Sequence, residues 1–397
     1  MKRISALLLL FCITVAAMGR SFAAPTLAAN LHAEAFSQSL SAQSAVLMEA
    51  DSRTVLHEQT AHIPMGMAST TKIMTALVTA ERLEADTVVT VPPQAVGIEG
   101  SSVYLVEGEP LTVKELLYAL ILASANDAAV ALAIAVAGSE EAFCALMNEK
   151  AASLGLIDTH FENPHGLADD EHYTTAYELA LLSAAVLEHP LLREIAATKR
   201  TAIPFDGTPN GRYLVNHNKM LTQYEGAIGL KTGFTKKTGR CLVSAACRDG
   251  MTLIAVTLNA PDDWRDHKAL LDYGFDTYKR LTLFETGGFS YALPLVGGVS
   301  KTVILTNQAP LSLLLPKDHP TPTLKVELVH RFAFAPVLQE DVLGTLVLHC
   351  GEQSTSSPLA VAETALRKQE KRNRLMVCLE AIRDRIAAFF QSFAGKE

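Results

Sequence analysis

The chain has 397 residues, 49% of them hydrophobic, and a net charge of −8. That length leaves room for two or three domains of ordinary size, and the acidic balance argues against nucleic acid as a partner. Neither a glycine-rich phosphate loop nor a metal-ligand spacing of histidines and cysteines stands out, so no cofactor and no metal are expected.

In chain order, Lys2 and Arg3, the apolar run Ile4 to Met18 and the small-x-small site Ser21-Phe22-Ala23 read as an export signal over 1–23. Its core is too short for a spanning helix, and bulky Phe11 before Cys12 argues against a lipoprotein signal. Residues 24–40 are rich in Ala, Ser and Gln and read as a flexible mature N-terminus. Ala45 to Met48 has the apolar run of a buried strand, and Thr54-Val55-Leu56 pairs back on it after the turn Asp51-Ser52-Arg53. Thr87 to Val91 is a strand closed by Pro92-Pro93. Glu115 to Ala137 has the length and alanine content of a buried helix or helix pair, broken in the middle at Ser124-Ala125-Asn126-Asp127. Helices follow at Glu140 to Leu154 and at Thr175 to Leu187, the second with Thr175 as its N-cap.

Gly226 to Gly233, Cys241 to Ala246 and Thr252 to Leu258 read as adjacent antiparallel strands. Helices inserted between an N-terminal hairpin and these strands imply an α+β domain, over 41–280, whose sheet joins both ends of the segment. Cys241 and Cys247 are separated by about 20 Å of extended chain, well beyond a disulfide's reach, and the cysteines read as buried thiols. Short apolar or alternating runs at Leu293–Val296, Thr302–Leu305, Leu311–Leu315, Leu324–Leu328 and Gly344–Leu348 indicate a small all-β domain over 281–356. In 357–397, a basic linker precedes Leu375, Leu379, Ile382, Ile386, Phe389 and Phe393, which recur at spacings of four and three. A basic amphipathic helix with aromatics on its apolar face suits a bilayer interface.

Three separated motifs carry the chemistry. In Ser69-Thr70-Thr71-Lys72 the serine and lysine stand at i and i+3 at the head of a helix, about 5–6 Å apart at Cβ. A serine hydroxyl needs a base, and a desolvated lysine can be one. Ser124-Ala125-Asn126 lies in the inter-helix break, and Lys231-Thr232-Gly233 opens a strand. In this order the set resembles that of penicillin-binding proteins and class A β-lactamases. The runs Pro64 to Thr75, Ser124 to Ala129, Asn163-Pro164-His165-Gly166-Leu167, Asn216 to Met220 and Lys231 to Thr235 are similar to the D-alanyl-D-alanine carboxypeptidases, the low-molecular-mass penicillin-binding proteins. Thr238 and Arg240 depart from that pattern, standing where a small residue and an apolar or aromatic one are expected.

The resemblance implies a β-lactamase-like catalytic domain, an antiparallel sheet with helices on both faces and an all-helical insert. It implies Ser69 as nucleophile, Lys72 as its base and Ser124 as a proton relay. Asn126, Lys231, Thr232, Gly233 and Phe234 would bind substrate, with the backbone N–H groups of Ser69 and Phe234 as oxyanion hole. Expected partners are the peptidoglycan stem peptide, β-lactam antibiotics as covalent inhibitors, and a membrane surface met by the C-terminal helix. The expected location is the outer face of the bacterial cytoplasmic membrane. Arg265 reads as a surface arginine, His165 as a loop-holding residue, and Asp127 as a cap on the following helix. A β-lactamase is disfavoured because Glu162-Asn163-Pro164 does not match the glutamate loop that positions its deacylating water. An inert wall-binding protein is disfavoured because all three motifs are intact.

Overall fold

Ala45, Val46, Leu47 and Met48 are wholly buried, as are their partners across the sheet in a computed structural model of the chain. The structure describes residues 35–167, 170–205, 207–368, 379 and 382–386. The export signal and most of the C-terminal stripe therefore lie outside the described residues.

The chain divides into two compact units, one built mainly of Leu40–Ala245 with Leu253–His267 and the other mainly of Lys268–Glu397. The first holds a five-stranded sheet in the order Val55–Gln59, Ser44–Glu49, Met251–Leu258, Gly239–Arg248, Ala227–Thr235. Ser44–Glu49 runs antiparallel to Met251–Leu258 with Val46 opposite Val256, so the sheet does join both ends of the segment. Strands covered on both faces show continuous apolar runs rather than alternation, and every residue of Met251–Leu258 is buried.

The helical layer is organised around Lys72–Ala80, against which Val113–Leu122, Asn126–Ala137 and Glu140–Ser153 pack. Helix Val113–Leu122 starts in a capping box made by Thr112 and Glu115. Asn126–Ala137 carries alanine and valine around much of its circumference, as a helix enclosed by others requires. It stops at Gly138, whose φ of +81° a residue with a Cβ rarely adopts. Ala176–Glu188 follows its predicted cap, the Thr175 hydroxyl accepting from Glu178 N–H, and packs on Ser44–Glu49.

The second unit is a six-stranded sheet in the order Thr323–Leu328, Val342–Cys350, Gln353–Val361, Thr302–Asn307, Ser290–Val296, Ala333–Phe334, with Tyr278–Phe284 and Leu311–Pro316 paired beside it. Alternate leucines and valines such as Leu293, Leu295, Val303, Leu305, Leu346 and Leu348 fill its core. Strands Tyr278–Phe284 and Gln353–Val361 run across the boundaries read at 280 and 356. The first half of Gln353–Val361 is polar, because it is held by backbone pairing to Val342–Cys350 while its side chains stay partly exposed. The hairpin Arg200–Phe205 with Thr208–Val215 is also absent from the sequence reading, its alternation being interrupted by Pro204, Pro209 and Gly211.

Candidate active site

Ser69 sits in a 3-10 turn, Ala68–Thr71, and the α-helix begins only at Lys72. The sequence reading placed Ser69 at the helix head; the turn tightens that entry but keeps the two side chains on one side. Lys72 Nζ lies 3.0 Å from Ser69 Oγ, 2.7 Å from Asn126 Oδ1 and 2.6 Å from the His165 carbonyl oxygen. The last two can only accept, since Asn126 Nδ2 donates to the Glu99 carbonyl. A neutral amine has two N–H groups and one lone pair. With both N–H groups taken by those oxygens, the lone pair is left for the single partner that can donate, the Ser69 hydroxyl.

The electrostatics favour that neutral form. Lys72 is completely buried, and burial pulls its pKa well below 10.5, with the Lys231 charge adding to the effect and Asp127 opposing it. Lys231 is itself pushed down to about 7 by burial. Two buried lysines facing one site disfavour each other's protons.

The third motif occupies the edge strand Ala227–Thr235. A Cβ on Gly233 would lie 3.0 Å from Ser69 N and 3.1 Å from Met67 O, so any side chain here would push this strand away from the nucleophile turn. Ser69, Ser124, Thr232, Gly233 and Phe234 line one cavity of about 350 Å³. Ser124 occupies the helix break with φ +58°, a left-handed conformation costly for a residue with a side chain.

Several site residues were not legible in the sequence. Arg240 lines the cavity together with Trp264, its guanidinium 2.9 Å from Asp263 Oδ1 and 5.7 Å from the Trp264 ring centre. Burial raises the Asp263 carboxyl above its usual range, while the Arg240 hydrogen bond pulls it back. Arg265, by contrast, is 59% exposed and paired with Asp262 and Asp266. A second group holds the turn from behind. Glu162 N–H donates to His172 Nδ1, which leaves Nε2 protonated and 2.6 Å from Thr71 Oγ1. That hydroxyl donates to the Ala68 carbonyl at 2.8 Å, and Ala68 has φ +47°. The chain of bonds thus fixes the strained peptide just before Ser69. Gly166 packs so closely there that a Cβ would stand 2.0 Å from the Ala68 oxygen.

His165 holds its loop as expected, its Nδ1 accepting from Leu167 N–H, and burial pulls its pKa to about 3, with the Lys72 charge adding. Its backbone oxygen, which no side-chain pattern reveals, is the group that meets Lys72. Asp127 stands in the first turn of its helix, one residue inside the expected cap position, which is held by Ala125; its carboxylate accepts from the Ala128 N–H at 2.9 Å and also from Ser102 Oγ and the N–H groups of Val103 and Leu105. It thereby ties the 102–105 loop to the first turn of the helix.

A hydroxyl bonded to a desolvated amine, facing a cavity whose far wall is a sheet edge, defines a serine hydrolase of the acyl-transfer type with lysine as base. The family model for D-alanyl-D-alanine carboxypeptidase matches residues 30–262. The D-alanyl-D-alanine carboxypeptidase DacF of Bacillus subtilis is 34% identical over 81% of this chain and 85% of its own. DacA of Escherichia coli is 30% identical over 82% and 83% respectively. Among solved structures, penicillin binding protein 5 from Haemophilus influenzae superposes with a TM-score of 0.70 at 26% identity, covering 84% of this chain and all of that one. The chain belongs to the D-alanyl-D-alanine carboxypeptidase family, and it is a serine-type peptidase.

Proposed function

We propose that the enzyme removes the terminal D-alanine from peptidoglycan stem peptides through an acyl-enzyme on Ser69, and that β-lactams acylate the same hydroxyl. The observation that carries this reading is the Lys72 amine, 3.0 Å from Ser69 Oγ with its other contacts made to pure acceptors. Ser69 Oγ attacks the carbonyl between the two D-alanines while its proton passes to Lys72. The tetrahedral oxyanion is received by the backbone N–H groups of Ser69 and Phe234, donors whose loss in other hydrolases slows reaction by about 10²–10³. The C–N bond breaks as a proton reaches the leaving amine by way of Ser124. Water then enters, gives its proton to Lys72 and releases the shortened peptide.

Asn126 orients Lys72 and the substrate amide. Thr232 and Lys231 face the terminal carboxylate, and Gly233 admits the substrate backbone to the strand edge. Because Lys231 is pushed down to about 7, it supplies only part of a charge near neutrality. Arg240, fixed by Asp263, supplies the remaining cation, since a guanidinium in general keeps its proton.

We assign 1–23 to an export signal, 24–40 to a flexible arm and the catalytic unit to the region from 41. Attachment to the outer face of the cytoplasmic membrane is assigned to the amphipathic segment after Lys368. In support, Leu379, Ile382 and Ile386 are each more than half exposed, and 382–386 are helical.

Mass spectrometry of the enzyme incubated with penicillin should show one adduct on the Ser69 peptide, with slow recovery. Release of D-alanine from a pentapeptide should vanish in Ser69→Ala. Rapid turnover of penicillin, or an adduct elsewhere, would refute the reading. For attachment, a chain ending at Lys368 should move from the membrane to the soluble fraction; an unchanged distribution would count against it.

A further inference from the structure

The end of the second unit from which the chain departs carries apolar side chains that stay exposed among the described residues. Val299, Phe334, Leu338 and Leu366 are 74%, 66%, 60% and 66% exposed. They are neighbours through the backbone. Val296 pairs with Phe334, Val299 N–H donates to the Leu366 carbonyl, and Val337, next to Leu338, bridges Ala365. Phe332 stands edge-on to Phe334 with ring centres 5.3 Å apart. Soluble surfaces scatter single apolar residues; a contiguous aromatic and aliphatic rim marks a surface that meets something apolar.

Where the chain goes indicates what that is. Lys368 N–H is still bonded to the Gly297 carbonyl at this rim, and Leu375, the first position of the amphipathic stripe, is only seven positions further along. Seven residues reach at most about 25 Å. Arg331, Arg367 and Lys368 are exposed at the rim, balanced by exposed Glu340, Asp341 and Glu363, and Lys371, Arg372 and Arg374 follow Glu370 in the sequence, so the positive excess builds up where the chain leaves the rim. Cations beside exposed phenylalanines are the composition of a surface that sits at the headgroup level of an anionic bilayer.

We propose that this rim, centred on Phe334 and Leu366, is a second membrane contact. It inserts shallowly into the lipid surface beside the C-terminal segment, so that the second unit rests on the bilayer. This rests on the membrane-attachment reading above. A single weak insertion is marginal, whereas two joined by a short tether reinforce each other through high effective concentration.

The test uses the mature full-length enzyme and flotation with phosphatidylcholine vesicles containing or lacking phosphatidylglycerol. Phe334→Glu combined with Leu366→Glu should weaken binding to the anionic vesicles about tenfold, the change expected from losing two partly inserted side chains. D-alanine release and penicillin labelling should stay at the unsubstituted level, which shows the variant to be folded. Ile382→Glu with Ile386→Glu reports separately on the C-terminal segment. Binding unchanged in the rim variant while the segment variant loses it would overturn the rim proposal and leave attachment standing. No vesicle binding by the unsubstituted enzyme would overturn both. A rim variant that alters sedimentation but not flotation would make the rim a self-association surface and refute the proposal. As an independent readout, Phe334→Trp should add fluorescence that brominated lipid quenches, above the signal of the single native Trp264. Absence of that quenching would also count against insertion.

Discussion

Replacing Lys231 with methionine should stabilise the enzyme while abolishing its activity. The buried amine is pushed from 10.5 to about 7 by desolvation. In the unfolded chain it regains its ordinary affinity for protons. At about 1.4 kcal/mol per pH unit, that difference withholds roughly 4 kcal/mol from the folded state at pH 7. Methionine keeps the apolar stem without the charge. It forfeits one hydrogen bond, from Nζ to the Thr232 carbonyl at 3.0 Å, worth about 1 kcal/mol. A net gain of about 1–3 kcal/mol in unfolding free energy is expected at pH 7, once imperfect packing is allowed for.

The sign can be checked by pH. Between about 7 and 10.5 the unfolded chain holds a proton that the folded one lacks, so the stability of the unsubstituted enzyme rises with pH across that window. The advantage of the variant should therefore be largest near and below pH 7 and shrink towards 10.5. Urea denaturation at pH 7 and pH 10 measures both points. The same substitution removes a charge that depresses Lys72, so any residual acylation by penicillin should need a higher pH. Equal stabilities at both pH values, or a variant less stable at pH 7, would refute the claim that Lys231 is held in the site against its solvation.

Asp127→Ala should cost about 2–4 kcal/mol in a urea titration, because three donors from the 102–105 loop lose one buried acceptor. Since Asp127 also favours the protonated form of Lys72, its removal should let acylation begin at lower pH, opposite to the Lys231 variant. Gly166→Ala places a Cβ against the Ala68 oxygen at φ +87°; penicillin labelling should slow by more than about 100-fold as the turn before Ser69 is displaced. Arg240→Ala should raise KM about tenfold or more for a D-Ala-D-Ala peptide, and leave hydrolysis of a thioester lacking the terminal carboxylate nearly unchanged. An equal loss on both substrates would place Arg240 in the packing rather than in recognition.

The parts of the fold visible in advance were those with a strong local signature. The buried strands announce themselves as apolar runs, and the helix break shows because Ser124, Asn126 and Asp127 sit between a leucine-rich and an alanine-rich stretch. The hairpin at 200–215 and the strand Gln353–Val361 did not show, since prolines and exposed polar side chains mask alternation that backbone pairing alone maintains.

At the site, the side chains with chemistry of their own were legible as Ser69, Lys72, Ser124, Asn126 and the Lys-Thr-Gly run, because their spacing is fixed by helix, break and strand. The His165 carbonyl, the bonds from His172 through Thr71 to Ala68, and the Asp263 clamp on Arg240 were not. Each joins residues distant in the chain, and a backbone oxygen or a structural histidine has no signature in sequence. Sequence alone determined which groups can react; the tertiary structure decided which of them keep their protons. Proton affinity is set by burial and by neighbouring charge, and only the closed fold buries two lysines 159 positions apart within reach of each other's charge.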